Sequence, residues 1–282
     1  MPRPIVLVTN TTMGVSSMVD AMLDAHKAAP TGLDLFMDTE TNQCRPGFTF
    51  FQVCVYSKNT VYLIDMRELG QDAFTTSGTA SITLKDILES SVIRKAFFAI
   101  SGDSHVLWKH YSIFVNGITD LALMAIALVG GSAKQRAKGL PSCIKDNMKG
   151  FMGSVERDAW KLRKDWGKKV FGETGEKQQK ISSGEEVADG WVAPFNQRPI
   201  LPEVEEYCVN DVIVMPLVHI TLEERMVKVE EKLGKDACEA WRIRIAEKTD
   251  EYIKKSQSAN FKEGVIEGEG GVPEWNGIPY VR

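Results

Sequence analysis

The chain has 282 residues, 43% hydrophobic, with 34 Lys or Arg against 38 Asp or Glu and a formal charge of -4; it can build one substantial core but is not a general polycationic coat for nucleic acid. Five cysteines without C-x-x-C spacing point to free thiols in a reducing compartment, not to a disulfide framework or a zinc cluster. The apolar run at residues 5–8 is too short for a signal-peptide core, and no run approaches membrane-spanning length, so the sequence reads as intracellular, cytoplasmic or nuclear, with no membrane partner.

Residues 5–8 read as a short strand. Ser16 or Ser17 then caps a helix through about Lys27, with Val19, Met22 and Leu23 on its inner side. Residues 33–40, LDLFMDTE, form an apolar run that reads as a buried strand. Residues 48–56 are rich in aromatic and β-branched side chains, Lys58 and Asn59 make a hairpin turn, and residues 61–65 return. A short helix at 84–89, a buried strand at 95–100 and a helix at 104–109 follow, then extended segments at 113–115 and 117–119. Residues 120–129 are apolar nearly all round, and their Ala, Leu and Met content favours a buried helix. This order predicts a mixed sheet covered by helices, an α/β layered domain.

Residues 130–180 change character, with thirteen Lys or Arg against six Asp or Glu in an otherwise acidic chain. Helices are predicted at 140–148 and 155–166, and the Gly-, Gln- and Ser-rich stretch 171–190 reads as a mobile insertion. The basic run is either a solvated surface or a track for a phosphate backbone. Residues 202–220 predict a helix kinked or broken at Pro216, and residues 222–256 two helices divided at Gly234, before a loose tail. The domain division expected is 1–220, with a basic insertion at about 130–190, and a C-terminal helical extension and tail at 221–282.

Four carboxylates sit in apolar sequence instead of surface charge runs. Asp38 and Glu40 close the strand at 33–40, and period two sends both to one side. Asp103 follows the KAFFAI strand at or just before a helix start, where a capping role alone would also explain it. Asp211 lies in VNDVIVM one helical turn after Tyr207, and an i, i+4 pair shares a helix face. Asp211 among apolar residues needs a compensating partner, no Lys or Arg lies within one turn of it, and a structural ion pair would also explain it. Convergence of Asp38, Glu40, Asp103 and Asp211 on hard divalent ions explains all four together, because such ions take oxygen ligands. Two ions about 4 Å apart suit phosphodiester hydrolysis. Tyr207 would then orient the attacking water as a neutral phenol.

These residues resemble the DEDD superfamily of 3'-5' exonucleases, of the type with a tyrosine in its third motif, to which RNase D and the Werner exonuclease domain belong. Within that group the likeness is nearest to fungal and animal proteins carrying a 3'-5' exonuclease domain. DTE matches the first motif with Asp38 and Glu40. GDSHVL matches the second with Asp103, and ITDLALMAIAL places Asp120 at a supporting position. RPILPEVEEYCVNDV matches the third with Tyr207 and Asp211, and is the most specific piece. The likeness runs from about Val6 to His219. Departures from the family pattern fall at Phe98, Ser101 and Gly102, and the segment between the second and third motifs is longer and more basic than in RNase D.

The resemblance implies a ribonuclease H-like five-stranded mixed sheet flanked by helices. It also implies metal-dependent removal of nucleoside 5'-monophosphates from a free 3' end of single-stranded RNA or DNA, RNA slightly favoured. The cofactors implied are two Mg²⁺ or Mn²⁺ ions held by Asp38, Glu40, Asp103 and Asp211. Thr39, Thr41, His105 and Lys109 are the expected substrate contacts, basic residues of 134–169 would meet upstream phosphates, and Phe50 or Trp108 could stack on a terminal base. Any protein partner is unspecified. Two other readings stay open: a catalytically weak nucleic-acid-binding or scaffolding member, and a phosphoesterase acting on small nucleotides or RNA ends.

Overall fold

The computed structural model describes residues 3–29, 32–41, 48–128, 135–136, 139–147, 152–183, 193–261 and 274–275. In chain order the elements are β1 (Ile5–Thr9), α1 (Thr12–Ala28), β2 (Leu35–Thr41), β3 (Phe48–Val55), β4 (Thr60–Asp65), α2 (Met66–Leu69), α3 (Asp72–Thr75), α4 (Leu84–Glu89), β5 (Lys95–Phe97), α5 (Ser101–Tyr111), β6 (Ile118–Asp120) and α6 (Leu121–Ala127). There follow β7 (Gln135–Arg136), α7 (Leu140–Asn147), α8 (Ser154–Ser183), α9 (Pro202–Val212), α10 (Met215–Leu233), α11 (Lys235–Ser256) and β8 (Glu274–Trp275).

One sheet has the order β1-β4-β3-β2-β5-β6, with β2-β3 and β3-β4 antiparallel and the other pairs parallel. It therefore has six strands, not the five the family resemblance implied. The sixth is β1, which the apolar run at 5–8 announced and which pairs along β4 from Ile5 opposite Thr60.

Strand period two divides the core. Leu35 and Met37 of β2, with Phe51, Val53 and Val55 of β3, face α1, α3, α4 and α5 in one apolar layer. Phe36 and Cys54 face the other way, toward α6, α7, α9, α10 and α11. Phe50, Leu63, Val204, Tyr207 and Cys208 extend that second layer. The register sets Asp38 opposite Gln52 and Glu40 opposite Phe50, so both carboxylates project from the α9 side with Phe36. This is how one strand buries an apolar face and still presents acid groups at its end.

Several boundaries differ from the expectation, each for a local reason. The α1 cap is Thr11, whose side chain accepts from the Gly14 amide at 3.1 Å, so the helix starts before Ser16. Strand β5 ends at Phe97, because Ala99 adopts φ 62° and the chain turns there toward α5. The chain breaks after α9 and resumes with Pro216 in the first turn of α10, where the missing N–H costs nothing. Gly234, at φ 87°, divides α10 from α11 as predicted. The largest difference is α8, a 30-residue helix whose backbone continues through residues 171–183 of the expected mobile insertion. Residues 184–190 of that expected insertion, and residues 262–273 and 276–282 of the expected tail, lie outside the described residues.

Candidate active site

Asp38 and Glu40 stand at the end of β2, and Asp103 reaches them from the first turn of α5. The link is direct: the Thr39 amide and hydroxyl both donate to Asp103 Oδ1, at 3.0 and 2.7 Å. Thr39 is thus spent on holding Asp103 and does not offer these donors to a nucleotide. Asp120, fully buried, accepts from the amides of Ala99 at 3.0 Å and Ile100 at 3.2 Å on one side. On the other it takes Ala122 at 2.9 Å and Leu123 at 3.4 Å, capping α6. The carboxylate thereby fixes the turn that aims Asp103, which is a supporting part in the literal sense.

Asp211 comes from α9, one turn after Tyr207, with both side chains on the face of α9 that covers β2 and β3. The third motif is anchored from below: Arg198 forms a two-point ion pair with Asp65, at 2.6 Å from Nη2 to Oδ1, and lays its guanidinium 4.9 Å from the centroid of the Phe50 ring. Phe195 meets Tyr207 edge-on at 5.6 Å. Phe50 is fully buried under Arg198, so it belongs to the core and not to a base-stacking wedge.

Asp38 and Glu40 lie near enough to Asp103 and Asp211 for their charges to repel. Burial pushes Asp38 well above the usual carboxylate range, and Asp103, Glu40 and Asp211 push it further. Glu40 is pushed up to about 8 by burial, against the pull of Lys164. Asp103 rises to about 7, again through burial, although its hydrogen bonds from Thr39 oppose the shift. Burial, then the charge on Glu40, holds the Tyr207 phenol above its ordinary value, so it is a neutral hydrogen-bonding group and not a base.

The sequence did not announce Lys164. From α8 its Nζ lies 2.5 Å from Asp211 Oδ2 and 5.0 Å from the centroid of the Tyr207 ring. Burial pushes this ammonium down, but Asp211, Glu40, Tyr207 and Asp38 outweigh it and hold the charge firmly on. The face of α8 that delivers it is set by Asn210: Trp160 Nε1 donates to the Asn210 carbonyl at 2.9 Å, Asn210 Nδ2 donates to the Trp160 carbonyl at 3.1 Å, and Arg163 Nε donates to Asn210 Oδ1 at 2.8 Å. Trp160, Arg163, Lys164 and Gly167 follow the i, i+3, i+4, i+7 spacing of one helix face. Gly167 is required there, since a Cβ would stand 1.8 Å from Tyr207 Cε2. Arg157 likewise turns inward, to the Met152 carbonyl at 2.5 Å. So Arg157, Arg163 and Lys164 are engaged with the protein; the side chains of Lys145, Lys161 and Lys169 are exposed.

Two expected substrate contacts need correction or relocation. His105 is buried, with Nδ1 2.8 Å from the Ser256 carbonyl and its ring 4.7 Å from that of Phe261, so the C-terminal segment covers it and it does not face the cluster. Trp108 packs beside it at 6.0 Å. Lys109 is exposed in the last turn of α5, where its charge suits the helix terminus. Thr41 closes β2 opposite Phe48 across a register shift after Glu40.

The donor set is all oxygen and mutually repelling, with Glu40, Asp103 and Asp211 buried and Asp38 half-buried, which fits a hard divalent cation. Asp211 adds a specific sign: its Oδ1 is buried and has no hydrogen-bond partner among the described residues. As placed, no three carboxylates among the described residues are drawn close enough to hold an ion, and Lys164 stands among them.

A family profile described as 3'-5' exonuclease matches residues 12–226. The chain belongs to the 3'-5' exonuclease family. It is accordingly an exonuclease of the hydrolase class, and the acid residues above lie within the matched span. No curated protein sequence matches it significantly. Among solved structures it is similar to Trypanosoma brucei RNase D, with TM-score 0.64 and 17% identity over 95% of this chain and 78% of that one. The same protein in complex with RNA U12 matches with TM-score 0.63 and 16% identity, covering 95% and 76%. The catalytic core of RRP6 from Trypanosoma brucei matches with TM-score 0.54 and 11% identity, covering 91% and 53%. At these identities the likeness establishes the ribonuclease H-like exonuclease fold. Among the described residues no helix is long and apolar enough to cross a membrane.

Proposed function

We propose that this exonuclease is divalent-metal dependent, uses two Mg²⁺ or Mn²⁺ ions, and removes nucleoside 5'-monophosphates from the 3' end of single-stranded nucleic acid, RNA slightly favoured. The observation that carries the reading is the approach of three buried carboxylates, Glu40, Asp103 and Asp211, and the half-buried Asp38, from β2, α5 and α9, with an orphaned Asp211 oxygen among them. Asp38, Glu40, Asp103 and Asp211 would hold the ions. Bound there, the ions supply charge stabilisation at the scissile phosphate and an activated water. Tyr207 orients that water through its neutral hydroxyl. Thr39 and Asp120 keep Asp103 aimed, and the Arg198–Asp65 pair seats α9. Thr41, at the strand end beyond Glu40, is the remaining candidate for the terminal nucleotide, and exposed Lys145, Lys161 and Lys169 for upstream phosphates. The match to a structure titled as an RNA complex supports RNA as a substrate class.

The test is a time course on matched RNA and DNA single strands carrying 3' or 5' labels, with Mg²⁺, Mn²⁺ or chelator. The expected result is a metal-dependent ladder from 5'-labelled strands and immediate mononucleotide release from 3'-labelled ones. No shortening in either metal would sink the reading. Release of product from short substrates without a ladder would favour a phosphoesterase of small nucleotides.

A further inference from the structure

Three buried carboxylates and the half-buried Asp38 repel one another, and among the described residues the positive charge that opposes them is that of Lys164. Lys164 Nζ contacts Asp211 Oδ2 at 2.5 Å, with side-chain exposures of only 17% and 9% for the pair. That contact answers one oxygen and leaves Oδ1 of the same carboxylate buried and without a partner among the described residues. A permanent structural ion pair would satisfy both lone oxygens or leave the second one in water. The residues around it divide in the same way. Trp160, Arg163 and Gly167 are locked to Asn210 and Tyr207, so the helix is held. Among the described residues of α8, Lys164 reaches into the cluster on a flexible four-carbon stem, able to swing without moving the helix.

We infer that Lys164 is a positioning residue that serves as a resident cation: it holds the acid cluster together before metal binds, and the ion displaces it from Asp211. This rests on the metal-dependent reading proposed above. It adds that metal entry and the Lys164–Asp211 contact exclude each other, and that α8 sets how readily the site loads. The exchange is a substitution of one cation for another, with no bond made or broken and no co-reactant.

Two measurements on the full chain test it. Mn²⁺ binding is followed by loss of the free-ion electron paramagnetic resonance signal, for wild type, Lys164→Met, Lys164→Gln and Asp211→Asn. Loss of the competing ammonium is expected to tighten binding by about tenfold or more in both Lys164 variants, while Asp211→Asn weakens it. Unchanged or weaker binding in Lys164→Met and Lys164→Gln would overturn the inference while leaving the metal reading intact. In the wild type, acetylation of Lys164 by a water-soluble acylating reagent is quantified by mass spectrometry, with exposed Lys161 as reference; this needs no variant to fold. Mn²⁺ is expected to raise Lys164 labelling several-fold and leave Lys161 alone. Labelling that stays the same or falls would overturn the displacement. If neither wild type nor the Lys164 variants bind Mn²⁺, the metal reading fails and this inference with it.

Discussion

Lys95 and Lys164 both give up most of their water, and they are held in opposite ways. Lys95, fully buried on β5, donates to three backbone carbonyls, of Ile87 at 2.6 Å, Ser90 at 2.7 Å and Ile93 at 2.9 Å. No carboxylate answers it in that set, and burial pulls it down to about 7. Lys164 meets carboxylates, and its charge is held on. The first uses every donor to fasten the end of α4 to the sheet, so it is structural and has no reason to move. The second is matched by charge to groups that a stronger cation would take over, so it is exchangeable. Burial alone therefore does not mark function; the identity of the partner does.

The sharpest way to break the comparison is to remove the acids. Asp211→Asn and Asp38→Asn are each expected to lower exonuclease turnover by about three orders of magnitude or more. In the metal-free state Asp38→Asn should hold or raise the melting temperature, because like-charge repulsion is relieved, whereas Asp211→Asn should lower it by leaving the buried Lys164 ammonium without its partner. A variant that loses activity only in proportion to lost folding would contradict the site assignment. The counterpart is Lys95→Met, which removes three hydrogen bonds to backbone carbonyls. It should cost about 3 kcal/mol of stability by denaturant titration, with turnover per folded molecule near wild type. Next in size is Gly167→Ala, whose methyl group meets Tyr207: about 1–2 kcal/mol of stability and a roughly tenfold fall in turnover as the phenol is displaced.

The smallest expected effect is one of pH. The folded protein holds Glu40 up to about 8 and Asp103 up to about 7, from ordinary values of 4.5 and 3.8. Across that interval the folded state binds more protons than the unfolded one, so stability is fully present below about pH 4 and is lost as pH rises through the folded values. Metal-free protein should therefore melt about 3–6 °C lower at pH 8 than at pH 5, with Mn²⁺ reversing the loss most strongly at the alkaline end. Lys95 works in the other direction, because its folded value is depressed, but only as pH rises past about 7. Thermal scans of wild type and Lys95→Met over the same range separate the two contributions.

Much of the site was legible because its signals are local. Asp38 and Glu40 sit two apart on a strand, and Tyr207 and Asp211 four apart on a helix, so period alone put each pair on one face. Asp103 and Asp120 were marked by their places after a strand and before a helix. What was hidden depends on contacts far apart in sequence. Lys164 and Asp211 are 47 residues apart, and nothing in the basic run distinguished this lysine from its solvated neighbours. The one available signal was the Trp160, Arg163, Lys164, Gly167 spacing, a stripe that ends in a glycine where an aromatic ring has to pass. His105 misled for the same reason in reverse: its α5 face is covered by Ser256 and Phe261, from the other end of the chain. The continuation of α8 was missed because Gly and Gln content reads as loop, whereas the helix is held at its start by α9.

The most direct measurement of the central claim is a crystal of the full chain soaked in Mn²⁺ and examined by anomalous scattering. Manganese is expected between oxygens of Asp38 and Asp211, with Glu40 or Asp103 completing the set and the Lys164 ammonium withdrawn from Asp211. Manganese bound elsewhere, or Lys164 still seated on Asp211 beside an intact acid cluster, would contradict the account.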